Sequence, residues 1–130
     1  MYQHENDGVK ISVVPDYLEE ESVPEDGRYV WAYTIEIENT GDEPVQLVAR
    51  QWTIVDAMGR TEYVQGLGVI GEQPVIEPGE RFRYTSGAPL STPSGFMRGS
   101  YEMQRGDGES FAAIIPGFSL DRPVDRVRLH

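Results

Sequence analysis

The residues from Gly66 to Gly71 read Gly-Leu-Gly-Val-Ile-Gly, the G-x-G-x-x-G spacing that lets a backbone approach a pyrophosphate. In a dinucleotide-binding fold such glycines leave a strand and open a helix whose N-terminus faces the anion. Here the chain continues Glu72-Gln73-Pro74-Val75-Ile76-Glu77-Pro78, and prolines at that spacing rule the helix out. No nicotinamide or flavin site is expected. Two readings of the glycines stay open. They serve an irregular loop that needs positive φ, or the amides around Gly66, Gly68 and Gly71 form a nest for a small phosphorylated anion, such as pyrophosphate or a dinucleoside polyphosphate.

Arginine is the second chemical feature. Alternation places Arg81 and Arg83 on the same face of one strand, Arg98 lies on a neighbouring candidate strand, and Arg105 follows it. Between Arg81 and Arg105 the only acidic residue is Glu102. Guanidinium groups clustered in this way can take a phosphate or a carboxylate in bidentate fashion. The competing reading is an ordinary solvated sheet face.

The remaining chemistry is thin. There is no cysteine, so there is neither a thiol nucleophile nor a thiolate metal site. The only histidines, His4 and His130, stand at the two ends, where a Ser-His-Asp arrangement is not expected. Glu19, Glu20, Glu21, Glu25 and Asp26 supply oxygens for a hard cation without the spacing of a formed cage. No catalytic residue, metal site or cofactor is assigned, and the chain is expected not to be an enzyme.

Composition narrows the partners. Acidic residues number 22 against 11 basic ones, a net charge of -11 that repels nucleic acid and anionic membrane. No apolar run approaches the roughly 20 residues that span a bilayer, so no membrane insertion is expected. The polar, acidic start from Met1 to Asp7 is not a signal peptide, and the cytoplasm is the expected location.

The elements that must position these residues are strands. Val, Ile, Tyr and Trp carry much of the apolar content, and 14 Gly and 9 Pro cut the chain into short pieces. Gly8 to Pro15 reads as a strand stopped by its proline, and Asp16 to Asp26 as a mobile acidic loop. From Arg28 to Asn39 the residues Tyr29, Trp31, Tyr33, Ile35 and Ile37 share one buried face. The strand from Val45 to Asp56 changes phase, which predicts a bulge near Arg50 or Gln51. Met58-Gly59-Arg60 turns into a strand from Thr61 to Val64, and Gln65 to Gly79 is a loop. Arg81 to Ser86 is a strand with Phe82 and Tyr84 inward, followed by a loop from Gly87 to Gly95. Phe96 to Gln104 turns Met97, Tyr101 and Met103 inward, and Ser110 to Ile115 and Gly117 to Leu120 follow the Gly106-Asp107-Gly108 turn. A short edge strand at Val127 to Leu129 completes seven or eight strands. The expectation is one all-β domain over residues 1–130, a two-sheet antiparallel β-sandwich. The aromatics Tyr29, Trp31, Tyr33 and Trp52 belong to its core.

From Arg50 onward the order of residues resembles the ApaG family. The stretches are R-Q-W-T-I-V-D-A-M-G-R, then V-Q-G-L-G-V-I-G-E-Q-P-V-I-E-P-G-E, Y-T-S-G at Tyr84 to Gly87, T-P-S-G-F-M-R-G-S-Y-E-M from Thr92 to Met103, and F-A-A-I-I-P-G-F-S-L. The resemblance implies a fibronectin type III-like or immunoglobulin-like sandwich. It also implies a link to cobalt resistance and to magnesium and cobalt homeostasis in bacteria, and a protein-interaction role, since the domain recurs in eukaryotic F-box proteins and a polymerase-interacting protein. Another protein is thus the expected partner, with a small phosphorylated ligand as the alternative and a homodimer left open.

Overall fold

The computed structural model describes residues 1–123, and the Val127–Leu129 strand and His130 lie outside them. Among the described residues nine strands run β1 Tyr2–Asn6, β2 Val9–Tyr17, β3 Tyr29–Asn39, β4 Val45–Asp56, β5 Thr61–Leu67, β6 Val75–Ile76, β7 Arg81–Leu90, β8 Ser94–Arg105 and β9 Ser110–Asp121. Two antiparallel sheets face each other. The first has the order β1-β2-β3-β7, and the second β5-β4-β8-β9 with β6 also on β4. This is the expected all-β sandwich.

Alternation makes the core. Trp31, Tyr33, Ile35 and Ile37 of β3 are buried, Tyr29 is partly so, and they meet Leu47, Trp52, Met97, Tyr101, Met103 and Phe118 from the second sheet. Tyr33, Trp52 and Phe118 form an aromatic centre in which the Tyr33 and Trp52 rings pack edge to face at 5.3 Å. The Trp31 indole N–H reaches the Asp121 carbonyl at 3.0 Å, so the largest core side chain leaves no polar atom unpaired.

Several sequence expectations need correction. Residues 2–6 form β1, joined to β2 by a turn in which Asp7 and Gly8 both take positive φ, 50° and 78°. That Asp-Gly pair is the strongest short hairpin signal. Pro15 does not stop β2, because it lies beyond the end of β1, where one side of the strand has no neighbour to bond. The acidic segment is not a mobile loop. Glu19–Glu21 and Pro24–Asp26 form 3-10 turns, Leu18 N–H donates to Val30 O at 2.8 Å, and the Ser22 hydroxyl accepts from Val30 N–H. β7 continues through Gly87 to Leu90, where a loop was expected, since an edge strand tolerates Pro89. The two last strands are one, β9, bulged opposite Arg98 at Pro116-Gly117.

Candidate functional site

The bulge in β4 falls at Val48, ahead of the predicted Arg50 or Gln51. The extra residue there organises the glycine-rich segment. On the open side of β4, β5 pairs with Ala49 to Val55 and β6 with Val45 and Gln46, so the chain between them must leave the edge at Val48. The Val48 carbonyl accepts from Gly68 N–H at 2.8 Å and from the Gln73 side chain at 2.9 Å. Between these anchors Val69 and Glu72 exchange two main-chain hydrogen bonds of 2.8 Å. Ile70 and Gly71 turn the chain with φ of 44° and 79°, a two-residue hairpin of the I′ kind.

The glycines therefore have separate tasks. A Cβ on Gly68, which has φ of 62°, would lie 2.1 Å from the Glu72 carbonyl oxygen. A Cβ on Gly66 would lie 2.8 Å from Arg50 Nη1. Gly71 meets nothing within 4 Å, so positive φ alone selects it. The amides of Val69 and Glu72 donate inside the loop, and that of Gly68 donates to Val48 of β4. Among the described residues those of Ile70 and Gly71 donate to no protein group.

Arg50 was not among the sequence candidates. The bulge turns it to the inner side, where it pairs across the sheet with Gly66 and Tyr101. Its Nη1 donates to the carbonyls of Leu67 and Gly68, at 3.1 and 3.0 Å. Tyr84 and Tyr101 share a buried hydroxyl–hydroxyl hydrogen bond close by. Burial pushes the phenols of Tyr33, Tyr84 and Tyr101 above their ordinary pKa, and the Arg50 charge opposes that rise in all of them. The phase slip in β4 was the available signal, because it makes an even-numbered arginine inward once the bulge is placed at Val48.

The arginines named from the sequence do not come together. Arg81 and Arg83 stand on the outer face of the first sheet, and Arg98 on the outer face of the second. Arg81 sits 3.6 Å from Glu36 and 3.7 Å from Glu38. Arg105 binds Glu109 at 3.1 Å and lies over the Phe111 ring. Gly66 belongs to the inner side of the second sheet's edge, away from all of them. Among the described residues no group of three His, Asp or Glu side chains comes within reach of one metal ion.

The outer face of the second sheet has its own character. Outward residues form the cross-strand rows Leu67-Ala49-Glu102-Ala112, Gln65-Gln51-Ser100-Ile114 and Tyr63-Thr53-Arg98. Small residues in the middle and large ones at the margin leave a concavity of about 670 Å³ across β5, β4, β8 and β9. Leu67, Tyr63, Phe96 and Ile114 stand exposed on this face, with Ile70 on the adjoining loop and Val75 on β6.

Comparison with known proteins agrees with the arrangement. The family model for the ApaG domain matches residues 19–105. The protein ApaG of Maricaulis maris is 79% identical over 130 residues, all of both chains. The protein ApaG of Methylobacterium sp. (strain 4-46) is 53% identical, again over the full length of both. A crystal structure of an ApaA protein from Bordetella pertussis superposes with a TM-score of 0.87 at 46% identity, over 90% of this chain and 95% of that one. The sandwich is the fibronectin type III-like one of that family.

Proposed function

The chain belongs to the ApaG domain family, and from that we propose a non-catalytic protein-interaction module that docks a partner on the outer face of its second sheet. The observation that carries this reading is the gathering of exposed apolar side chains there, Leu67, Tyr63, Phe96 and Ile114, with Ile70 at the tip of the neighbouring hairpin. Exposed apolar groups around a weakly charged hollow suit a folded protein surface rather than a polyanion. Ile70 strengthens the reading. A β-branched residue strained into left-handed geometry and left 57% exposed does nothing for the fold that Asn would not do better. Through such a partner in the cytoplasm the protein would act in cobalt resistance and magnesium and cobalt homeostasis, the setting its family resemblance implies, without holding either ion itself.

Affinity capture with the intact chain tests the proposal. One protein should be retained by wild type and lost, by about tenfold or more in affinity, with Leu67→Asp or Ile114→Asp. Turnover of a nucleotide or sugar by the pure protein, altered by its own mutations, would overturn it. The second reading, a small phosphorylated anion, has the undonated Ile70 and Gly71 amides in its favour. Its test is titration with diphosphate while following the amide NMR signals of the 66–72 segment and of Arg81, Arg83 and Arg98. Shifts confined to the loop would support a nest, and shifts spread over the surface would end it.

A further inference from the structure

β5 is the edge of its sheet, bonded to β4 on one side only. The phase of its hydrogen bonds follows from two contacts. Asp56 N–H donates to Arg60 O and Gly68 N–H to Val48 O. Arg60, Glu62, Val64, Gly66 and Gly68 therefore address β4, and Thr61, Tyr63, Gln65 and Leu67 turn their N–H and C=O groups away from the sheet.

Proteins usually guard such an edge with proline, lysine, a bulge or brevity. The other edges show this. β7 carries Arg81, Arg83 and Pro89, β9 has a bulge at Pro116-Gly117, and β1 is short. β5 carries one charge, Glu62, but no proline, no basic residue and no bulge. Its pairing register is unbroken from Thr61 to Leu67, and Tyr63 and Leu67 are 70% and 75% exposed.

We propose that this edge pairs with the same edge of a second copy of the chain, around a two-fold axis at Val64. One antiparallel register matches every outward-facing residue. It sets Thr61 opposite Leu67 and Tyr63 opposite Gln65, so all the free donors and acceptors of the strand are met. That register also brings Glu62 of each copy opposite Gly66 of the other. Gly66 has no side chain, and the guanidinium over its Cα is that of Arg50. Among the described residues Arg50 bonds carbonyl oxygens and no carboxylate. The Glu62 carboxylate thus arrives where an uncompensated cation waits, twice by symmetry. Sliding the register by two residues leaves an end of the strand unmatched and moves Glu62 away from Gly66. The pairing would join the two second sheets into one continuous sheet, and it does not depend on the partner proposed above, because pure protein suffices to measure it.

Sedimentation equilibrium of the full chain over a wide concentration range is the test. A monomer–dimer equilibrium is expected, weakening as salt rises. Gln65→Pro removes an outward N–H and leaves the β4 ladder alone, and it should raise the dissociation constant about tenfold or more with an unchanged melting curve. Glu62→Arg should do the same by setting two cations together, and Glu62→Gln should lose the salt dependence. A protein that stays monomeric at about 0.5 mM, far above ordinary micromolar association, would overturn the proposal. So would a dimer indifferent to both Gln65→Pro and Glu62→Arg.

Discussion

On the outer face of the first sheet Lys10 lies 3.4 Å from Glu38, and Arg81 bridges Glu36 and Glu38 across the β3–β7 pair. The outer face of the second sheet carries Arg98 and Glu102 among Ala, Ser, Thr, Gln and exposed apolar residues, and Arg50 is turned under the sheet. Both sheets alternate in the same way and bury the same kind of interior. The difference is that Lys10, Arg81, Glu36 and Glu38 pair with one another on one face, whereas among the described residues Arg98 and Glu102 of the other make no ion pair. A protein of net charge -11 that places only Glu102 in the middle of such a face, with Asp121 at its end, does so against its composition. For that reason the second face, and not the arginine-bearing first one, is read as the place of contact.

The largest effect should come from the loop that frames this face. Gly68→Ala must hold an alanine at φ of 62° and clear the Glu72 carbonyl oxygen, 2.1 Å from its Cβ. The loss should be about 2–4 kcal/mol, read from the urea midpoint. Such a variant therefore cannot serve as a clean test of anion binding, because loss of the hairpin would mimic loss of a ligand. A loss below about 0.5 kcal/mol, the size of an ordinary surface change, would mean the hairpin yields freely and the two faces differ less than their geometry suggests.

The sandwich was legible because alternation over Trp31 to Ile37 and over Met97 to Met103 is a local signal, and the structure buries the inward residues of both runs. Turn residues were legible for the same reason at Gly59 and Gly108, which both take positive φ. What could not be read was which residues meet across sheets. Arg81, Arg83 and Arg98 lie close in sequence, yet β7 joins β3 and β8 joins β4, so strands separated by a short loop enter opposite sheets. A local count of charge carries no such information. Arg50 was missed for a narrower reason. A bulge placed at Arg50 or Gln51 rather than Val48 reverses the side on which that arginine stands.

A smaller effect, of opposite sign, is expected at the hairpin tip. Ile70→Asn puts the residue type favoured in left-handed geometry at φ of 44°. It should raise stability by about 0.5–1 kcal/mol, visible as a higher urea midpoint, while partner capture falls. Stability and binding moving apart would mark the isoleucine as kept for contact. If the midpoint falls instead, Ile70 packs usefully in the hairpin, and its exposure says nothing about a partner.

The smallest effect belongs to the first face. Arg81 is 60% exposed, and its contacts of 3.6 and 3.7 Å are long for charge-assisted hydrogen bonds. Water competes for both ends of each pair, and holding two long side chains in place costs entropy. Lys10 also remains beside Glu38 when the arginine is gone. Arg81→Ala should therefore cost no more than about 0.5 kcal/mol, and that cost should vanish in high salt, where exposed pairs are screened. Partner capture should be unchanged. A loss above about 1.5 kcal/mol would exceed what exposed pairs contribute and would show that Glu36 and Glu38 depend on this cation for folding. Loss of the partner with Arg81→Ala, at unchanged stability, would move the contact to the first sheet and reverse the assignment of the two faces.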